Sequence, residues 1–161
     1  MNKVCKLSTD FLFLHEYREI RKRKLVVMCH GCFDVLHYGH LIHLNSARAK
    51  GDYLIVSLAG DAFVNKGTGK PVFDQYKRAA MLAAFSIIDR VVITETLGPF
   101  EHIKALRPHF YEKGPDYDDA TAPEADLVRQ CGGEIVFTEN SKDVSSSDIL
   151  KCLKETARSQ H

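Results

Sequence analysis

The sequence predicts a single α/β domain: a doubly wound, five-stranded parallel sheet flanked by helices. Two observations predict it. Short apolar runs rich in Val, Ile and Leu alternate with segments whose apolar residues recur at helical spacing. Strands buried on both faces in this way belong to parallel sheets. The glycine- and histidine-rich segments also follow the ends of these runs, where ligands bind in such sheets.

Each element has its own reason. Residues 1–23 read as a lead-in segment, weakly helical over 11–20 and ending in the basic run 18–24. The domain proper spans 24–157. Its strands are predicted at 25–29, 53–58, 90–94, 109–112 and 134–138. Its helices are predicted at 41–49, 75–88, 100–106, 123–130 and 146–157. Asp74 suits the N-cap of the second of these, and Gly132-Gly133 stops the fourth. Residues 60–73 are rich in Gly, Lys and Asn and form a loop. Right-handed crossovers between such strands give a Rossmann-like arrangement.

Composition narrows the function. In a chain of 161 residues, 22 Lys and Arg balance 21 Asp and Glu, for a net charge of +1. There is no basic field of the sort that selects nucleic acid. No apolar run approaches the roughly 18 residues of a membrane span, and no secretory signal pattern opens the chain. The expected location is the cytoplasm, with Cys5, Cys29, Cys32, Cys131 and Cys152 as reduced thiols.

The segment Gly31-Cys32-Phe33-Asp34-Val35-Leu36-His37-Tyr38-Gly39-His40 follows the first predicted strand and opens a helix. A strand that feeds a helix start presents free backbone N–H groups and the positive end of the helix dipole, which suits phosphate. Gly31 and Gly39 allow close approach. His37 and His40 lie three apart, so both rings reach one side of the first turn. There they can donate hydrogen bonds as negative charge builds. Two rivals overlap this segment. Cys29-His30-Gly31-Cys32 is a C-x-x-C after a strand, as in redox proteins. Cys29, His30, Cys32, His37, His40 and His43 together are a dense set of zinc-type ligands. Neither has a completing second motif.

The segment resembles the H-x-G-H signature of the cytidylyltransferase-like nucleotidyltransferases. That resemblance covers about residues 24–153. It implies that His37 and His40 contact triphosphate oxygens and stabilise the transition state. It places Gly31, Cys32, Phe33, Asp34 and Gly39 around the nucleotide, with Asp34 either beside the metal's water shell or orienting the loop. Within Lys66-Gly67-Thr68-Gly69-Lys70 it implies a phosphate-binding lysine, Lys66 first and Lys70 second, and in the next helix that Arg78 binds phosphate. Lys113-Gly114-Pro115-Asp116-Tyr117 resembles the K-G-x-D-Y segment of the heptose-phosphate adenylyltransferase branch. Lys113, Gly114 and Asp116 would then hold the base and ribose side. Ser145, Ser146 and Ser147 stand where the family has a hydroxyl-rich phosphate motif before the last helix.

The activity so implied is transfer of AMP or CMP from ATP or CTP to a phosphorylated small molecule, with release of pyrophosphate. A heptose 1-phosphate is the first choice of acceptor, and polyol or amino-alcohol phosphates are alternatives. Mg2+ is the implied cofactor, with no dedicated protein metal site, and a homodimer the implied assembly. A non-catalytic nucleotide-binding module is the alternative from another class.

Overall fold

The computed structural model describes residues 3–64, 67 and 69–138. The predicted helix at 146–157, together with Lys66 and Ser145, Ser146 and Ser147, lies outside the described residues. The strands are β1 (Val4–Cys5), β2 (Val26–Gly31), β3 (Tyr53–Leu58), β4 (Arg90–Ile93), β5 (Phe110–Lys113) and β6 (Glu134–Phe137). The helices are α1 (Phe11–Arg23), α2 (Tyr38–Ala49), α3 (Gln75–Ala83), α4 (Phe100–Leu106) and α5 (Ala125–Gln130).

The sheet has six strands, not five. The order is β1-β4-β3-β2-β5-β6, and every pairing is parallel. The extra strand comes from the expected lead-in, where Val4 pairs with Val91 and Cys5 with Val92. α1 packs into the domain as well. Asp10 caps it by accepting from the Phe13 N–H at 2.9 Å, and Phe13 and Tyr17 are buried. The Tyr17 hydroxyl donates to the Leu106 carbonyl at 2.6 Å, so a buried polar tip is paired.

Strand alternation sends side chains to two cores. Val26, Met28, Tyr53, Ile55, Val92 and Tyr111 face α1, α4 and α5, where Phe13, Ile103 and Val128 pack on them. Val27, Cys29, Leu54, Val56 and Val91 face α2 and α3, where Leu44, Ala47, Ala79 and Leu82 pack. Burying each such Val, Leu or Ile stabilises the fold by about 1.5–3 kcal/mol before entropy is counted. Asp74 caps α3 as expected, accepting from the N–H groups of Tyr76 and Lys77. That helix ends at Ala83 rather than Ile88. Beyond it Phe85 and Ile88 bond three residues back, in tighter turns that bring Asp89 against Leu54.

The chain runs outward from β2 through β3 to β4. It then crosses back to place β5 on the other side of β2. The order therefore reverses between β2 and β5, and the crevice beyond their carboxyl ends is the expected ligand site.

Candidate active site

The loop between β2 and α2 sits over that crevice under backbone strain. Phe33 and Val35 adopt left-handed φ angles of 48° and 50°. For a β-branched residue this is a sterically costly conformation, of a kind found at functional sites. Two contacts hold it. Phe33 is buried with its ring 5.2 Å from that of His40. Asp34 is 3% exposed and accepts from the Val72 and Phe73 N–H groups at 2.8 and 3.1 Å. The Lys70 ammonium lies 4.0 Å from the same carboxylate. Asp34 thus orients the loop, the second of the two roles open to it.

His37 is the N-cap of α2, and its Nδ1 accepts from the Gly39 N–H at 3.2 Å. His40 Nδ1 accepts from the His37 N–H at 3.4 Å. The two rings lie 3.9 Å apart between centroids, tilted by 36°. With Nδ1 an acceptor in each ring, the proton of the neutral ring is on Nε2. The pair is a prearranged set of Nε2–H donors at a helix start.

Arg78 is elsewhere in its hydrogen bonding. It was expected to face phosphate, but it is 0% exposed and every guanidinium N–H is used inside the protein. Nε donates to the Phe73 carbonyl at 2.9 Å. Nη1 donates to the Cys32 carbonyl at 2.5 Å and approaches the Cys32 Sγ at 3.9 Å. Nη2 donates to the Ala59 carbonyl and to Asp61 at 2.9 and 2.6 Å. Arg78 is therefore a positioning residue that ties the motif loop, the end of β3 and the 70–73 loop together. Gly60 lies in the same junction, where an added Cβ would come within 2.5 Å of the Thr94 carbonyl oxygen.

After β5, the Lys113 ammonium is also engaged. It pairs with Glu124 at 2.7 and 2.8 Å and lies 4.1 Å from the Tyr117 ring centroid. These two contacts brace the loop after β5. Gly114 borders open space, since an added Cβ would have nothing within 4 Å. Asp116 is exposed beside it.

Neither rival to the histidine motif is assembled. Cys29 is fully buried and burial pushes its thiol well up, the opposite of a reactive cysteine. The zinc-type set is dispersed: Cys29 faces the α2 core, His30 faces the other side of the sheet, and His43 is bonded to Thr138 at 2.6 Å.

Comparison with known proteins adds the family. Residues 28–151 match the family described as cytidylyltransferase-like. The chain belongs to that family. The bifunctional protein HldE of Campylobacter jejuni subsp. doylei is 39% identical over 137 residues, 84% of this chain and 29% of its own length. The HldE of Mesorhizobium japonicum is 44% identical over 126 residues, 77% of this chain and 25% of its own. The chain thus spans under a third of these relatives. A lipopolysaccharide core biosynthesis protein from Thermoplasma volcanium superposes with a TM-score of 0.64 at 27% identity, covering 74% of this chain and 99% of its own. The nucleotidyltransferase reading of the histidine motif stands at the level of the family.

The family resemblance also implied magnesium. Among the described residues, no group of three or more His, Cys, Asp or Glu gathers to hold a metal. Both oxygens of Asp34 are taken by backbone N–H groups. The described residues therefore gather no three-ligand group around Asp34, whose carboxylate serves the loop. No helix among the described residues is long and apolar enough to cross a membrane.

Two buried polar groups of this cytidylyltransferase-like domain were not read from the sequence. On the α2 side, Glu112 accepts from the Ser46 and Thr138 hydroxyls, each at 2.7 Å, and pairs with Lys50 at 2.8 Å. On the opposite side, the Ser57 hydroxyl lies 2.9 Å from Nδ1 of both His30 and His102. The signal available for each was a polar residue inside an apolar strand. A cavity of about 670 Å³ lies between α1 and the C-terminal ends of α4 and α5, lined by Arg18, Arg21 and Arg107. There Arg21 and Arg107 donate to helix-terminal carbonyls of Arg107 and Cys131, so they serve as C-terminal caps.

Proposed function

We propose that this domain transfers an adenylyl group from ATP to a sugar 1-phosphate, with heptose 1-phosphate the first choice, and releases pyrophosphate. The observation that carries this is the His37–His40 pair, two Nε2–H donors fixed at the start of α2 beside the topological switch. The K-G-x-D-Y segment favours ATP over CTP. The likeness to a lipopolysaccharide core biosynthesis protein favours a carbohydrate acceptor.

The chemistry asks little of a base. The acceptor phosphate is already anionic. One of its oxygens forms a bond to the α-phosphorus, and the bond from that phosphorus to the bridging oxygen breaks. Pyrophosphate leaves with the electron pair. The barrier lies in bringing anions together and in charge on the α-phosphoryl and leaving oxygens, so positioning and preset donors supply the catalysis. His37 and His40 meet that charge, and Lys66 adds a cation to the phosphates. Ser145, Ser146 and Ser147 offer hydroxyls. Arg78 and Asp34 keep the motif loop in place. The reaction belongs to the cytoplasm, where nucleoside triphosphates are made, and the working unit is a homodimer, which sedimentation would check.

Purified protein would be mixed with magnesium, each of four nucleoside triphosphates and a panel of sugar and polyol phosphates. Pyrophosphate release that needs ATP and a sugar 1-phosphate supports the reading. Release only with CTP and a polyol phosphate replaces it by the polyol branch. Nucleotide binding without release from any pair makes the domain a non-catalytic module.

A further inference from the structure

His30, Ser57 and Lys113 form a polar row at the carboxyl ends of three adjacent strands. His30 pairs in register with Ser57 of β3. Cys29 pairs with Glu112, which puts Lys113 next to His30 across the β2–β5 switch. All three side chains share the face of Met28, Ile55 and Tyr111. Behind the row lie His102, bonded to Ser57, and Glu124, bonded to Lys113. Ser57 is fully buried and His102 is 5% exposed, whereas His30 is only half-buried. His30 Nδ1 is held by Ser57, so Nε2 is the ring atom left to face the crevice.

A serine hydroxyl has a single proton. It can donate to only one of two imidazole nitrogens and must accept from the other. The tautomers of His30 and His102 are therefore opposite. If Ser57 donates to His30, the outer nitrogen of His30 carries a proton and donates. If Ser57 donates to His102, that nitrogen accepts. Burial holds His30 at about 3 and His102 at about 4, so both rings stay neutral near pH 7 and the choice is between tautomers.

In-line transfer decides what His30 faces. In the mechanism proposed above the leaving pyrophosphate lies against the His37–His40 pair at the start of α2, and α2 packs on the Val27, Cys29 and Leu54 face of the sheet. The incoming phosphate must approach the α-phosphorus from the opposite side, which is the side of the His30 row. We propose that His30 is the acceptor-specificity residue of this crevice: its outer nitrogen reads a sugar hydroxyl, and Ser57 and His102 set whether it donates or accepts. This rests on the sugar-phosphate reading above.

The test uses the full chain and a panel of hexose and heptose 1-phosphates with their monodeoxy forms. Wild-type turnover on the panel establishes the reaction independently of His30, and its absence would overturn the reaction and this assignment together. With turnover in hand, His30→Phe should raise the acceptor KM at least tenfold and leave the ATP KM unchanged. It should also cut discrimination against one monodeoxy form at least tenfold. An unchanged acceptor KM with intact discrimination overturns the proposal, as does a shift in the ATP KM instead. Imidazole 15N shifts give a readout without turnover. Adding the preferred sugar phosphate should move the His30 and His102 signals in opposite tautomeric senses, and in Ser57→Ala the two should respond independently. Signals that move with ATP alone, and not with the sugar phosphate, assign His30 to the nucleotide.

Discussion

His37 and His40 stack with ring centroids 3.9 Å apart, and each Nδ1 is held by a backbone N–H of the turn they share. One nitrogen of each ring serves the helix, and the proposed mechanism gives the other to the phosphates. The two roles separate by substitution. Asn is also a favoured N-cap, so His37→Asn retains the cap and loses the imidazole N–H. It should keep its unfolding midpoint and lower turnover about 100-fold, the usual cost of one transition-state donor. His40→Ala should lower turnover comparably. A folded His37→Asn enzyme with near-native turnover would remove the pair from the mechanism.

Arg78 predicts the reverse pattern. Its guanidinium donates to four oxygen acceptors, on the Cys32, Ala59, Asp61 and Phe73 segments. Arg78→Ala should destabilise the domain by about 3 kcal/mol, because buried carbonyls lose their donors. Arg78→Lys should recover little, since a point cation cannot span four acceptors set for a planar fork. Urea denaturation checks both. A lysine variant as stable as the native protein, with only its phosphate affinity weakened, would return Arg78 to the ligand-facing role.

The contrast shows what the residues made legible. The strand beginning β2, the histidine loop and α2 were readable because apolar run, glycine and helix start are contiguous. β1 was not, since two residues carry no periodicity and their partner lies at Val91 and Val92. Arg78 was misread for a related reason. A charged residue in an early helical turn looks exposed unless the loop that covers it is known, and Asp34 fixes that loop from 38 residues away. The His30–Ser57–His102 group needs strand register before it exists at all. Lys66, Ser145, Ser146 and Ser147 lie outside the described residues and stay as the resemblance left them.

Glu112 offers a prediction about asymmetry. Its side chain is 0% exposed, whereas that of its partner Lys50 is 30% exposed. Removing the cation strands a buried carboxylate with two hydroxyl donors. Removing the carboxylate leaves an ammonium that can reach water. Lys50→Met should therefore cost about 2–3 kcal/mol, more than a surface lysine normally would. Adding Glu112→Gln to that variant should restore at least about 1 kcal/mol. Equal and additive losses in a double-mutant cycle would mean that the pair is not coupled.

The buried histidines set how stability responds to acid. Burial lowers His30 to about 3 and His102 to about 4, and it also lowers His43. An unfolded histidine titrates near 6.5. Between that value and the folded ones the unfolded chain binds more protons than the native state. Stability therefore rises with pH across this window: it is fully present above about pH 6.5 and is lost as the pH falls toward 4. Each histidine contributes a slope of about 1.4 kcal/mol per pH unit inside the window. The carboxylates held low by local hydrogen bonds, such as Asp74 and Asp118, titrate below it. Urea midpoints at pH 7, 6 and 5 should fall progressively. His102→Asn keeps a polar partner for Ser57 without a titrating ring, so its midpoints should fall less steeply. Parallel curves for the two proteins would mean that His102 takes up its proton in the folded state as readily as in the unfolded one.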